Sequence, residues 1–139
     1  MLPEQLLWQR LRPFLKRIGA HAVRVENALD PGTPDVNYCL AGHADWLELK
    51  VASPAPRRVN PGSIVHVGIR REQLVWWSER AGAGRQIKVL IEAPGWPVRY
   101  LLLTSSALLD YRTWASLTQR ASWRGDQFDA ALGRALREL

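Results

Sequence analysis

The chain has 139 residues, 47% of them hydrophobic and 23% charged, with a formal net charge of +6. That length suits one domain with a proper core, and that balance excludes a disordered or low-complexity chain. A single cysteine excludes an intramolecular disulfide, and no apolar run approaches membrane-spanning length. The reading is therefore a soluble protein of a reducing cytoplasm, with no membrane partner and a basic surface suited to a polyanion.

In chain order, residues 3–18 read as a helix, with Leu7, Leu11, Phe14, Leu15 and Ile18 at helical spacing. Pro3 suits its first turn, Gly19 stops it, and Pro13 should kink or split it. Residues 21–26 alternate like a strand, and 30–34 form a loop rich in proline and glycine. Val36–Leu40 and Asp45–Val51 are two strand-like runs joined by a turn over 41–44. In the second run alternation sends Leu47, Leu49 and Val51 into the core. It leaves Glu48 and Lys50, with Trp46, displayed on the opposite surface. The hairpin also returns Asp35 to the neighbourhood of Glu48 and Lys50. Cys39, in mid-strand, reads as a small buried hydrophobe.

Residues 52–68, with three prolines and two glycines, make an irregular excursion with a short strand expected at 64–67. A second helix spans 70–81, with Leu74, Trp77 and Ala81 on its buried face. Strands at 86–92 and 98–104 follow, joined by a turn at 93–97. The part from Ser105 onward, a trailer of about 105–139 behind a core of about 1–104, reads as short helices, the last over about 126–139. The predicted order is α-β-β-β-α-β-β with a helical trailer, one α/β domain over residues 1–139.

Pro34-Asp35 followed by Glu48-Leu49-Lys50 places two carboxylates and a lysine on adjacent strand ends, which is the composition of a metal site with a charge-stabilising cation at its edge. These residues, with Gly32 before them and Gln73 opening the second helix, resemble the signature of the PD-(D/E)XK nuclease superfamily. The wider pattern over roughly residues 1–92 is most similar to its stand-alone VRR-NUC type, small proteins common in bacteriophages. The resemblance implies a restriction-endonuclease-like αβββαβ core with a central mixed sheet. It implies a DNA endonuclease dependent on Mg2+, with Mn2+ able to substitute, selective for Holliday junctions or other branched DNA. It also implies a homodimer, working in the host-cell cytoplasm if the chain is phage-encoded. Asp35, Glu48, Lys50 and Gln73 are then the catalytic residues. Asp35, Glu48 and the Leu49 carbonyl are the metal ligands, with Glu4 on the first helix as a further acid and Glu26 as its competitor. Gln73 would hydrogen-bond the lysine, a water or a phosphate, and the acidic cluster would keep Lys50 protonated.

Arg57, Arg58, Arg70 and Arg71 bracket the excursion and are the candidates for backbone phosphate contacts. No basic tail exists: residues 1–69 carry eight basic and six acidic groups and the rest eleven and seven, so the fold must assemble any nucleic-acid surface. His21, His43 and His66 have no zinc spacing. The seven tryptophans suit a core or a subunit interface better than base stacking. Two other readings share the same residues. One is a nuclease-fold DNA-binding phage protein with little catalysis; the other is an RNA or nicking nuclease with the same site.

Overall fold

The computed structural model describes residues 2–26 and 30–138. A six-stranded mixed sheet runs in sequence order β1-β2-β3-β4-β5-β6, with helices on both faces. The strands are β1 (His21–Arg24), β2 (Val36–Leu40), β3 (His43–Val51), β4 (Lys88–Glu92), β5 (Tyr100–Thr104) and β6 (Trp123–Gly125). Helices α1 (Pro3–Arg17), α2 (Arg71–Gly82), α3 (Ser105–Asp110), α4 (Trp114–Arg120) and α5 (Ala130–Arg137) complete the fold. Only the β3–β4 pair is parallel, because α2 carries the chain over the sheet between them; every other neighbouring pair is antiparallel.

The hairpin at the centre of the motif is tighter than its sequence suggests. Ala41 and Gly42 both take positive φ, so two residues make the turn, and Leu40 pairs directly with His43. Such a turn matches the right-handed twist of the strands it joins. On one sheet face Leu47, Leu49, Tyr38, Leu90 and Leu102 pack with Leu7, Leu11 and Leu15 of α1 and Leu132 and Leu136 of α5. On the other, Val89, Ile91, Leu101 and Leu103 meet Trp77 of α2, Leu108 of α3 and Leu117 of α4. Strand β4, buried at all five positions, lies between the two layers.

Several expectations are corrected. α1 runs unbroken through Pro13; its apolar face, packed on the sheet at Leu7, Leu11, Phe14 and Leu15, holds the helix against the loss of one backbone hydrogen bond. Residues 64–67 form no strand but a single bridge, Ile64 to Thr113. The excursion is nonetheless anchored, with Val65 N–H donating to the Arg112 carbonyl and Ser53 N–H to that of His66. In α2, Gln73 and Trp77 are buried while Leu74 and Ala81 are exposed, because the helix is rotated to present Gln73 to the sheet. Cys39 is exposed: it lies on the sheet face opposite Tyr38 and Leu40, where no helix among the described residues covers β2. The trailer is not purely helical, since Trp123–Gly125 adds the sixth strand to β5 and α5 begins at Ala130. Leu139, included in the expected last helix, lies outside the described residues. Among those residues no helix is long and apolar enough to cross a membrane.

Candidate active site

The pairing of β2 with β3 ends at Val36 opposite Leu47. The next N–H on that edge of β3 belongs to Leu49, and the Asp35 side chain accepts it, with Oδ2 at 2.9 Å. The carboxylate thus stands in for a strand partner and is fixed at the mouth of the hairpin. Groups of one residue in an extended strand bond toward the same neighbour, so the Leu49 carbonyl faces the Asp35 edge as well. The loop carrying Asp35 is set against α2 by Gly32, which has φ +92°. A Cβ there would lie 2.2 Å from the Glu72 carbonyl oxygen. Only glycine allows that approach.

Glu48 and Lys50 leave β3 on the α2 side, but they are not displayed on an open surface. Glu48 is 1% exposed and Lys50 8%, because α2 and the end of the 52–70 excursion close over them. Lys50 Nζ donates to Gln73 Oε1 at 2.7 Å, and the same oxygen accepts the Arg70 backbone N–H at 2.9 Å. One amide oxygen therefore caps α2 and holds the lysine. Glu48 Oε2 has no hydrogen-bond partner among the described residues. Burial pushes the Glu48 carboxyl well above the usual carboxylate range; a hydrogen bond with Asp35 and that residue's negative charge push it further, against Lys50 and Arg70. Burial also lowers Lys50, offset by Glu48 and Asp35. The two acids act in the expected direction, favouring the proton on Lys50, while burial acts against them and lowers its pKa on balance.

These groups line one cleft of about 530 Å³, together with Glu4 from the first turn of α1 and with Arg24 and Arg70. Acids and lysine thus share one cavity with two arginines. Glu4 also acts electrostatically on Lys50. Glu26, just beyond β1, is exposed and is not among the residues lining the cleft. Arg70 lines the cleft, Arg71 lies over a different one beside Asp30 and Glu72, and Arg57 and Arg58 lie away from both on the exposed excursion. Sequence reasoning missed Arg24. Its signal is the β1–β2 register, which pairs Arg24 with Val36 and so sets it next to Asp35.

Among the described residues no group of three or more His, Cys, Asp or Glu is arranged to hold a metal. The cleft offers instead two adjacent carboxylates, one with a buried unpaired oxygen, and a backbone carbonyl on the same edge. That hard-oxygen donor set fits a magnesium-like ion, which retains several of its own waters. No family model matches the chain, and no curated protein or solved structure shows significant similarity to it.

Proposed function

We propose that the chain is a metal-dependent endodeoxyribonuclease with a restriction-endonuclease-like fold, a structure-selective enzyme for branched DNA such as Holliday junctions, acting as a homodimer. The observation that carries this is the Asp35–Glu48 pair: a buried carboxyl group with one oxygen unpaired, set beside a half-buried second one and a lysine held by Gln73. Such a pair costs stability, and burial with specific charge partners inside a cleft is the mark of a working site. The element order and the parallel β3–β4 pair across α2 agree with the proposed fold.

Asp35, Glu48 and the Leu49 carbonyl would hold the cation, with Glu4 across the cleft as the further acid. When bound, a divalent cation lowers the pKa of a coordinated water and neutralises charge on phosphoryl oxygens. The chain's own groups do the rest. The Lys50 ammonium, kept in place by Gln73 Oε1, hydrogen-bonds the attacking water or the charge developing on the phosphoryl group. Burial, by lowering its pKa, also eases proton transfer at Nζ. Arg24 and Arg70, in the same cleft, bind flanking phosphates. Two protomers would cut two strands symmetrically.

The test is a panel of labelled four-way junction, flap, linear duplex and RNA, each incubated with Mg2+, Mn2+ or EDTA. Metal-dependent cutting with the junction or flap preferred is the expected result. Preferential cutting of RNA would move the substrate class. Tight junction binding without cutting in either metal would leave a DNA-binding protein on this scaffold.

A further inference from the structure

We propose, building on the nuclease reading, that the nucleic-acid strand leaves the catalytic cleft over Arg10 and continues to Arg58 and His66, along the end of the sheet where β3 and β4 finish. Three clefts follow one another there. The catalytic one shares Glu4 with a second, of about 540 Å³, formed by Arg10, Glu92 and residues just beyond β3. The second shares Ser53 and Pro54 with a third, of about 320 Å³, lined by Arg58, His66 and Trp96. Shared walls make them one groove that starts at Lys50 and runs away from it.

Its charge suits a phosphodiester backbone. Glu92 is nearly buried and takes Arg10 on Oε1 and Arg99 on Oε2, so two guanidiniums share one carboxylate, and their one excess charge balances Glu4, the acid at the boundary with the catalytic cleft. The pairing also orients Arg10, which keeps 37% of its side chain exposed in the groove. An arginine held this way loses less freedom on meeting a phosphate than an unrestrained one. Arg58, fully on the surface, adds a second cation further along.

The alternative exit, past α2, is unfavourable. The cleft of about 340 Å³ on that side shares no lining residue with the catalytic one, and it carries Glu72 and Glu79 among its lining. The remaining large cleft lies at the opposite end of β3 and shares no lining residue with the catalytic one, so a strand leaving Lys50 does not enter it directly. Of the four arginines bracketing the excursion, the groove therefore selects Arg58 and the cleft Arg70, leaving out Arg57 and Arg71 and adding Arg10.

Fluorescence anisotropy of a fluorescein-labelled four-way junction and of labelled single-stranded DNA, in EDTA over a salt series, tests this path. Arg10→Ala and Arg58→Ala are each expected to weaken binding and to lower the slope of log Kd against log salt by about one. Arg57→Ala and Arg71→Ala are expected to change neither. Arg58→Ala lies outside the core and the Glu92 network, so its result stands whatever Arg10→Ala does to stability. Unchanged slopes in both groove variants, equal losses in the two controls, or no wild-type binding to either DNA would overturn the path. Parallel cleavage assays separate this inference from its premise. Cutting abolished by Lys50→Ala but with groove variants binding like wild type sinks the path alone. The expected slopes without any cutting would sink the nuclease reading and leave the path.

Discussion

At the scale of single residues, the strongest consequence is that the site is built against stability. Glu48 is 1% exposed with one oxygen unpaired, and its carboxyl titrates above its ordinary value of 4.5. The fold therefore binds that proton more tightly than the unfolded chain. The resulting stability is fully present below pH 4.5 and is lost progressively as pH rises toward the raised folded value. Glu48→Gln, which keeps the shape and removes the charge, is expected to stabilise the metal-free protein at pH 8. The gain should be at least about 1.4 kcal/mol, the equivalent of one unit of raised pKa. Urea denaturation of both proteins at pH 5 and pH 8 checks this: the gap should be small at pH 5 and open at pH 8. The reverse trend would mean that Glu48 is ionised and well compensated in the fold. Here the spacing of Pro34-Asp35 and Glu48-x-Lys50 was sufficient to foresee that these side chains and Gln73 meet in one cleft. Their burial was not legible, because alternation along β3 assigns a face but not what covers it. The cover comes from α2 and the 52–70 excursion, whose path depends on tertiary contacts.

At the scale of elements, the site depends on the contact between the 30–35 loop and the first turn of α2. Gly32 and Gly19 both have positive φ, but a Cβ at Gly19 meets nothing within 4 Å while one at Gly32 strikes the Glu72 carbonyl. Gly19→Ala should cost only the left-handed backbone penalty, about 1 kcal/mol. Gly32→Ala should cost about 1–3 kcal/mol more, since backbone must move to admit the methyl group. It should also reduce metal-dependent activity in the fraction that remains folded, because Asp35 and Gln73 would no longer keep their spacing. Urea midpoints of the two variants, measured beside residual cleavage, check both halves; equal costs would show that the loop does not brace α2. Elements with long apolar periodicity, such as α1 and the β2–β3 hairpin, were readable from sequence. Those decided by few residues were not. β6 is three residues long, and 64–67 has the composition of a strand but finds only one bridging partner. The burial of Gln73 in place of Leu74 overrides hydrophobicity, since its oxygen satisfies both Lys50 and the Arg70 N–H.

At the scale of the molecule, the sheet is held at its two ends by different charge networks. One end carries the candidate cleft and Glu92 with its arginines. At the other, Asp45, 4% exposed, accepts Lys88 Nζ at 2.6 Å and Arg85 Nη2 at 2.7 Å, joining the starts of β3 and β4. Burial alone would raise the Asp45 carboxyl, but these bonds and the Trp46 N–H hold it below its ordinary 3.8. A lowered value contributes stability above pH 3.8 that disappears as pH falls through the folded value. Asp45→Asn should therefore cost about 3 kcal/mol at neutral pH, because Lys88 would remain buried without its counter-charge. The loss should shrink in acid, which thermal unfolding at pH 7 and pH 3 would show; a loss independent of pH would assign Asp45 a packing role only. The sequence showed the excess of positive charge but not this division of labour. Asp45 and Lys88 are forty-three residues apart, and their meeting requires the parallel β3–β4 register.

The most direct measurement is the single-turnover rate of cleavage of a labelled four-way junction in Mg2+, for the wild-type chain, Asp35→Asn and Lys50→Ala. The expected result is cutting that EDTA abolishes, that Asp35→Asn removes, and that Lys50→Ala slows by about 10²–10³-fold, with all three proteins folded by circular dichroism. Cutting that survives both substitutions would contradict the assignment of this cleft, and a folded wild-type chain that leaves the junction uncut in Mg2+ would contradict the junction-cleaving reading itself.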